Sequence, residues 1–192
     1  EKGRQPMEIT AGGETYPIVY NGELYTTPEL RAQLEQEGVV FQTHCDTEVV
    51  LQSYAHWGPR CVEQCNGIFA FAVWEHSAKR LFLARDRIGV KPLFYAKIPG
   101  GLVFGSEIKA LLTHPEVPHE IDQTGIAELL LMGPGRTPGY GVFRTVREVK
   151  PAHCGYYMQG NLHLHSYWEL HAAVHTHSFA ETAAHVRELV TD

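Results

Sequence analysis

Two adjacent residues, Asn21 and Gly22, offer hydrogen-bond donors of the kind that stabilise negative charge on an oxygen atom. The Asn side chain supplies an NH2 group, and the Gly backbone N–H is not obstructed by a Cβ atom. Such donors stabilise the oxyanion that forms when a carbonyl carbon is attacked. The Asn-Gly pair is equally typical of a two-residue hairpin turn. Both interpretations predict that a short strand over residues 16–20 ends at this pair.

Two carboxylates, Glu23 and Asp46, lie close to predicted element boundaries. Glu23 follows the Asn-Gly pair directly, and Asp46 precedes a segment with helical periodicity. One interpretation is that both carboxylates bind the ammonium group of a ligand. The alternative is that Asp46 caps the helix and Glu23 is simply solvated. The spacing of the two residues does not choose between these interpretations.

Three further groups of reactive side chains are weaker candidates. Residues 85–91 (RDRIGVK) are typical of a charged hairpin connection; a phosphate-binding loop is the alternative, although no glycine-rich run opens a helix there. Five histidines lie between residues 163 and 177, but no carboxylate or cysteine completes a ligand spacing, so we expect no metal. Cys45 has no assignable catalytic base, and Cys61 and Cys65 are expected to be buried as small hydrophobes.

Changes in apolar periodicity predict the elements that must position these residues. The predicted helices cover residues 26–38, 47–57, 107–112, 122–132 and 178 onward. After the strand at 16–20, the predicted strands cover residues 67–74, 80–84, 92–96, 102–104, 142–149, 154–159 and 162–168. The four strands from 67 to 104 follow one another across short turns, which is typical of an antiparallel meander. The first of them is apolar at nearly every position, as in a strand that is covered on both faces.

Composition places the chain among ordinary globular proteins. It has 192 residues, of which 44% are hydrophobic and 20% are charged, and its net charge is −6 with His neutral. Because Lys and Arg are not clustered, neither nucleic acid nor an anionic membrane is expected as a partner. No apolar run is long enough to cross a bilayer, the start of the chain is too polar for a signal peptide, and the four cysteines form no dense framework. These features indicate a cytoplasmic protein.

The chain resembles the class II glutamine amidotransferase domain in the form found in glutamine-dependent asparagine synthetases. The matching segments occur in family order over roughly 165 residues: 5–7 (QPM), 20–25 (YNGELY), 45–49 (CDTEV), 66–74 (NGIFAFAVW), 83–95 (LARDRIGVKPLFY), 104–111 (FGSEIKAL), 147–151 (REVKP) and 167–168 (YW). Each segment is modest alone, and the ordered set is specific. The resemblance implies an α+β fold of the N-terminal nucleophile hydrolase type, a four-layer αββα sandwich of two antiparallel sheets, which agrees with the predicted meander and amphipathic helices.

The resemblance also implies a chemistry and roles for four residues. In this family a Cys at the mature N-terminus attacks the side-chain amide of glutamine, with its own α-amine as base. Ammonia leaves, and water hydrolyses the glutamyl thioester to give glutamate. By motif, Asn21 and Gly22 correspond to the oxyanion donors, while Glu23 and Asp46 correspond to the residues that bind the substrate's α-ammonium group. This assignment fails if the Asn21 amide and the Asp46 carboxylate lie on opposite sides of the molecule with no shared cavity.

The chain departs from the family pattern at its start. Residue 1 is Glu rather than Cys, and the QPM segment normally lies several dozen residues into the domain. We therefore expect that the sequence lacks an N-terminal segment with the nucleophile and with the Arg that receives the glutamine carboxylate. On this interpretation the 192-residue chain alone does not hydrolyse glutamine.

The resemblance also predicts the domain organisation and the partners. Residues 1–168 are predicted to be the amidotransferase domain, residues 169–177 a linker, and residues 178–192 the first helix of a truncated synthetase domain. Glutamine, that synthetase domain and a second copy in a homodimer are the expected partners. ATP and Mg²⁺ would serve the synthetase domain, which amidates aspartate, and no cofactor is expected in these residues. Two alternatives stay open, namely ammonia transfer to another carboxylate and a catalytically dead glutamine-binding module.

Overall fold

The computed structural model describes residues 3–133 and 135–191. Glu1 and Asp192, at the ends of the predicted domains, therefore lie outside the described residues. The described strands are β1 (Met7–Ala11), β2 (Glu14–Leu24), β3 (Gly67–Glu75), β4 (Arg80–Arg85), β5 (Phe94–Ile98), β6 (Gly101–Gly105), β7 (Val146–Glu148), β8 (His153–Met158) and β9 (Asn161–Ser166). The described helices are α1 (Thr27–Gln36), α2 (Asp46–Trp57), α3 (Cys61–Gln64), α4 (Ile108–Leu112), α5 (Gln123–Leu131) and α6 (Phe179–Thr191).

The strands form two antiparallel sheets. The larger sheet has the order β1-β2-β3-β4-β8-β9, and the smaller sheet has the order β6-β5-β7. The predicted meander is confirmed, and it is divided between the sheets: β3 and β4 pair in one, while β5 and β6 pair in the other. Among the described helices, none is long and apolar enough to span a membrane.

Three apolar clusters define four layers. One cluster joins the facing sides of the two sheets and includes Ala70, Ala72 and Leu83 of the larger sheet. A second cluster packs α1 and α2 on the other side of that sheet, and a third packs α4 on the outer side of the smaller sheet. Strand β3 contributes alternate residues to the first two clusters, so it is buried on both faces as predicted. The αββα architecture is confirmed.

The two longest predicted helices before the meander are confirmed, and local chemistry explains where they begin and end. Pro28 occupies the first turn of α1, where its missing N–H costs no helical bond, and Leu30 and Leu34 bury the apolar stripe. Helix α2 ends at Gly58, whose φ of 63° is favoured in glycine. Cys61 and Cys65 lie in the core beside α2, as expected of small hydrophobes.

Two predicted strands have different bounds in the structure, and one strand was not predicted. Strand β2 does not end at residue 20 but continues through Asn21 and Gly22 to Leu24, because β3 pairs with it along that whole length. The hairpin interpretation of Asn21-Gly22 is therefore wrong as well. The hairpin lies earlier, at Gly12-Gly13, where both glycines have positive φ and join β2 to the unpredicted strand β1. The strand predicted at 142–149 is reduced to β7, whose residues 146–148 alone pair with β5.

The charged segment that follows β4 is a buried turn. Asp86 is 1% exposed, and its carboxylate accepts hydrogen bonds from four backbone N–H groups, those of Phe69, Ile88, Val90 and Lys91. Arg85 donates to the carbonyls of Lys91, Val149 and Gly89, and its guanidinium lies 3.0 Å from the buried Glu148 carboxylate. These bonds hold the turn that connects β4 of the larger sheet to β5 of the smaller sheet. The charged residues of segment 85–91 thus have a structural role in this connection.

The final helix, α6, stands apart from the packed layers. Ser178 and Glu181 form a reciprocal cap at its start, with the Ser178 N–H 2.8 Å from the Glu181 carboxylate and the Glu181 N–H 3.4 Å from the Ser178 hydroxyl. None of its described residues is buried, and Phe179, Val186 and Val190 are exposed. The predicted helix is confirmed, while its assignment to a second domain stays a prediction.

Candidate functional site

The candidate site lies at the edge of β2, just beyond the N-terminal end of β1. Pairing between β1 and β2 ends at Met7 and Ile18. The side chain of Gln5 then takes the place of one more strand residue, because its Nε2 donates to the Tyr20 carbonyl at 2.8 Å and its Oε1 accepts the Tyr20 N–H at 2.7 Å. The N–H and C=O groups of Tyr20 therefore point toward β1 and away from β3.

Gly22 lies two residues further along, so its N–H points to the same side as that of Tyr20. The register confirms this orientation, since Gly22 is opposite Phe69, and both backbone groups of Phe69 bind Asp86 on the other side of β3. The Gly22 N–H consequently faces outward past the end of β1, where the described residues place no further strand. Leu24 repeats the pattern, and its N–H donates to the Asp46 carboxylate at 3.3 Å.

Asp46 is brought to this edge by the start of α2. Its Oδ2 accepts from the Tyr20 hydroxyl at 3.0 Å as well as from Leu24, and its Oδ1 accepts the Thr47 N–H at 2.8 Å. Burial, together with the negative charge of Asp46, raises the pKa of Tyr20 well above its ordinary value. The helix N-cap is Cys45 and not Asp46, so the carboxylate lies within the first helical turn.

The loop before α2 is fixed by a second carboxylate. Glu48 is 2% exposed and accepts the backbone N–H groups of Gln42 and Thr43 at 2.7 and 2.6 Å. These bonds hold the chain that leads into the helix, and so they determine where Asp46 meets β2. Acidic groups in a first turn also interact favourably with the helix dipole.

Asn21 and Glu23 project from the opposite face of β2. Asn21 pairs with Ala70, a residue of the cluster between the sheets, so its side chain points into the cleft. There its Nδ2 donates to the Ser106 hydroxyl at 3.0 Å. Asn21 and Ser106 line a cavity of about 350 Å³ together with Gln5, Leu93 and Phe104. Glu23 is exposed.

The four predicted site residues are therefore neighbours along one strand edge, but they do not share one cavity. Asp46 does not line the cavity that Asn21 lines. The Gly22 N–H and the Asp46 carboxylate face the free edge, while the Asn21 carboxamide lies in the cleft beside it. The Asn21 amide and the Asp46 carboxylate therefore lie near one strand edge and not on opposite sides of the molecule, but the expected shared cavity is not the one that Asn21 lines. The roles assigned to these residues stay predictions.

Thiol chemistry is poorly supported by the cysteines of the described residues. Cys61, Cys65 and Cys154 are each no more than 1% exposed. Burial raises the pKa of Cys65 and that of Cys154 to about 12, and it raises that of Cys61 above its ordinary value as well. A thiol that stays protonated at neutral pH is a weak nucleophile. Cys45 is half-buried, with its sulfur 3.0 Å from the Thr43 hydroxyl.

No metal centre emerges from the part of the chain that the structure describes, because it holds no group of three His, Cys, Asp or Glu side chains placed to bind one ion. His163 and His165 do share the exposed face of β9. His165 Nε2 lies 3.6 Å from the Cys154 sulfur, which is a protein contact rather than a ligand pair.

Sequence reasoning missed two residues that shape the site, Gln5 and Ser106. Both lie inside segments that match the family, but neither was given a role. A signal existed for Gln5, since a Gln carboxamide offers one donor and one acceptor and can replace a strand residue at an edge. No local signal placed Ser106 near Asn21, because the two residues are 85 positions apart and belong to different sheets.

Comparisons with known proteins identify the family of the chain. Residues 1–168 match the family of the glutamine amidotransferase domain. The chain is 49% identical over 192 residues to asparagine synthetase [glutamine-hydrolyzing] 3 of Bacillus subtilis. The aligned region covers 100% of this chain and 31% of that protein. It is 32% identical over 174 residues to asparagine synthetase [glutamine-hydrolyzing] 2 of the same organism, and this alignment covers 88% of this chain and 23% of that protein.

Solved structures show the same fold at low identity. The allosteric regulatory enzyme of purine biosynthesis has a TM-score of 0.62 and 20% identity, covering 85% of this chain and 31% of that one. The glutamine phosphoribosylpyrophosphate amidotransferase of B. subtilis, complexed with ADP and GMP, has a TM-score of 0.60 and 20% identity. This match covers 85% of the present chain and 32% of that one. The predicted family and fold are confirmed: this chain belongs to the glutamine amidotransferase domain family.

Proposed function

We propose that this chain is part of the glutamine-hydrolysing half of an asparagine synthetase. The observation that carries the proposal is the outward N–H of Gly22. It lies between two N–H groups of the same strand edge that are already bound, Tyr20 to Gln5 and Leu24 to Asp46. A backbone donor beside a carboxylate suits a substrate with a polar carbonyl at one end and an ammonium group at the other, which describes glutamine.

The proposed reaction is the hydrolysis of the glutamine side-chain amide. A thiolate adds to the amide carbon, and the negative charge moves to the oxygen, where the Gly22 N–H and the Asn21 NH2 are the proposed donors. The C–N bond then breaks, the nitrogen leaves as ammonia with a proton from the nucleophile's base, and water hydrolyses the thioester to glutamate. A single donor of this kind typically contributes about 10²–10³ in rate.

The substrate's ammonium group is proposed to bind Asp46 and Glu23. A carboxylate offers about four lone-pair sites. Tyr20, Leu24 and Thr47 use three sites of Asp46, and the remaining one can accept an N–H of the ammonium group. Glu23 is exposed on the cleft face of β2, next to Gly22, and its negative charge is proposed to reach the ammonium group from that face.

The nucleophile is proposed to be an N-terminal Cys, as in the family. Three of the four cysteines are buried with a raised pKa, and the fourth, Cys45, is the N-cap of α2. None of them is assigned to the attack on glutamine. We therefore infer that a polypeptide of residues 1–192 alone releases no glutamate.

The acceptor of the ammonia is proposed to be aspartate, activated by ATP and Mg²⁺ elsewhere in the protein. The chain spans about a third of the length of the first curated relative that it matches, 31% of it. On this proposal residues 1–168 belong to the amidotransferase domain, 169–177 form a linker, and α6 opens the synthetase domain. We further infer a cytoplasmic enzyme, with a homodimer as its assembly.

Steady-state kinetics on the full-length protein that contains this chain test the proposal. We expect Asn21→Ala to lower kcat for glutamate release by about 10²–10³ with little change in KM. Asp46→Asn is expected to raise KM for glutamine about tenfold or more, because a charged hydrogen bond typically contributes about 1.5–3 kcal/mol. Amidation of aspartate with added ammonia should be unchanged in both variants.

The matched control is Asn161→Ala, since Asn161 is an exposed asparagine whose side chain bonds the nearby Gln159 carbonyl at 3.3 Å. It should hydrolyse glutamine at the wild-type rate. If Asn21→Ala and Asp46→Asn also behave as wild type, the proposed site is wrong. If neither glutamine nor ammonia supports amidation of aspartate, the proposed acceptor is wrong.

A further inference from the structure

The two sheets are linked across their cleft by one hydrogen bond between side chains at the candidate site. Asn21 of β2 donates its Nδ2 to the hydroxyl of Ser106, which directly follows β6, at 3.0 Å. From this contact we infer that Ser106 is a positioning residue for glutamine hydrolysis, which holds the Asn21 carboxamide where its second N–H can reach the oxyanion. The inference rests on the proposed function.

Asn21 needs such a partner because its surroundings do little to orient it. Its side chain is exposed, and the final torsion of an Asn side chain has broad, roughly two-fold preferences. Without a partner, rotation about this torsion would carry the NH2 group away from the oxyanion. An NH2 group has two donors, so one can bind Ser106 while the other stays available.

Ser106 is suited to the task because its own position is well supported. Gly105, the residue before it, pairs with Phe94 of β5, and α4 begins two residues after it. The turn is tightly packed, since a Cβ added at Gly105 would lie 3.3 Å from the Leu111 side chain. Ser106 itself is half-buried. A hydroxyl held by a sheet and a helix is a more rigid anchor than the exposed Asn21 it binds.

The competing interpretation is that the bond only joins the two sheets. In that case its loss would lower stability but would not act through Asn21. The two interpretations differ in catalysis. Loss of orientation weakens an interaction made in the transition state, so it should reduce kcat with little effect on KM, whereas a purely structural bond has no reason to change kcat alone.

A double-mutant cycle in the full-length protein tests the inference by glutamate release. We expect Ser106→Ala to lower kcat roughly tenfold to a hundredfold, within the range known for small misplacements of catalytic groups. Ser106→Thr, which keeps the hydroxyl, should restore most of the rate. The Asn21→Ala/Ser106→Ala double variant should be no slower than Asn21→Ala alone, because Ser106 acts through Asn21.

The matched control is Ser77→Ala. Ser77 is an exposed serine in the turn after β3 that also links two segments, because its side chain hydrogen-bonds the Glu14 carboxylate in addition to its backbone N–H, which lies 3.0 Å from it. Its kcat should equal that of the wild type.

The inference is overturned if Ser106→Ala keeps the wild-type kcat, or if it lowers the rate by the same factor with and without Asn21. When Asn21→Ala is slow in those experiments, the proposed function stands and only the role of Ser106 fails. When Asn21→Ala itself hydrolyses glutamine normally, the proposed oxyanion site fails together with the role of Ser106.

Discussion

The Asp46 carboxylate accepts the Leu24 N–H at 3.3 Å and so closes the edge of β2 on the far side of Gly22. Gln5 closes the same edge on the near side through Tyr20. Between them the Gly22 N–H faces outward. Helix α2, the start of the chain and one strand thus combine to present a single backbone donor beside a carboxylate.

Residue-resolved hydrogen exchange should reveal this pattern directly. We expect the amide of Gly22 to exchange faster than those of Tyr20 and Leu24, because the described residues provide acceptors for the latter two at this edge while the Gly22 N–H faces outward. Asp46→Ala should accelerate exchange at Leu24 and leave Tyr20 protected by Gln5. Equal protection of all three amides would show that another segment covers the edge.

Substitution of Gly22 should test how closely β3 approaches. A Cβ at this position would lie 2.3 Å from the Ile68 carbonyl oxygen and 2.8 Å from the Phe69 Cα, both of them backbone atoms. We therefore expect Gly22→Ala to lower the free energy of unfolding by about 1–3 kcal/mol, as overpacking does. Gly101→Ala is the control, since its Cβ would meet only the Ile98 side chain at 3.8 Å and should change stability little. Similar urea midpoints for both variants would contradict the close approach.

Asp86 should be among the residues that matter most for stability. Its buried carboxylate accepts four backbone N–H groups, and Asp86→Asn would turn an NH2 group toward some of those donors. We expect a loss of about 3 kcal/mol or more in urea unfolding, because unpaired buried polar groups are costly.

Asp122→Asn is the corresponding control. Asp122 caps α5 by accepting the Gly125 N–H at 2.9 Å, and Asn caps helices about as well as Asp does. This variant should lose only a few tenths of a kcal/mol. A comparable loss in both variants would mean that the turn after β4 does not depend on the four acceptor bonds.

The buried thiols should make stability fall in alkaline solution. Burial raises the pKa of Cys154 from 9.0 to about 12, so the unfolded chain loses this proton first as the pH rises. Folded protein then binds more protons than unfolded protein between those values, and the free energy of unfolding declines by up to about 1.4 kcal/mol per pH unit for this group.

Cys154→Ala removes that contribution, and Cys45→Ala is its control because Cys45 is half-buried rather than buried. We expect the wild type and the Cys45 variant to lose stability more steeply than the Cys154 variant between pH 9 and about 12. Parallel stability curves for all three proteins would contradict the raised pKa.

The sequence was informative where apolar periodicity is strong. Strand β3 was predicted to be covered on both faces because nearly all its residues are apolar, and Leu30 and Leu34 marked the buried side of α1. Periodicity failed at Asn21-Gly22, where turn-forming residues continue a strand because β3 pairs with them. Local propensity was overridden there by long-range pairing, which no short window of sequence contains.

The candidate site was predictable as a set of residues but not as a geometry. Motif order selected Asn21, Gly22, Glu23 and Asp46, and the structure places all four along one strand edge. The alternation of side chains in a strand sends Asn21 into the cleft and away from Asp46. That separation follows from the extension of β2 through residue 21, which the sequence did not predict.

The most direct test is a crystal structure of the full-length protein with glutamate, the proposed product, bound. We expect one side-chain carboxylate oxygen of the ligand to accept hydrogen bonds from the Gly22 N–H and the Asn21 NH2, and its ammonium group to lie against Asp46. A glutamate bound elsewhere, or one that contacts Asp46 while both donors stay out of reach, would contradict the proposed site.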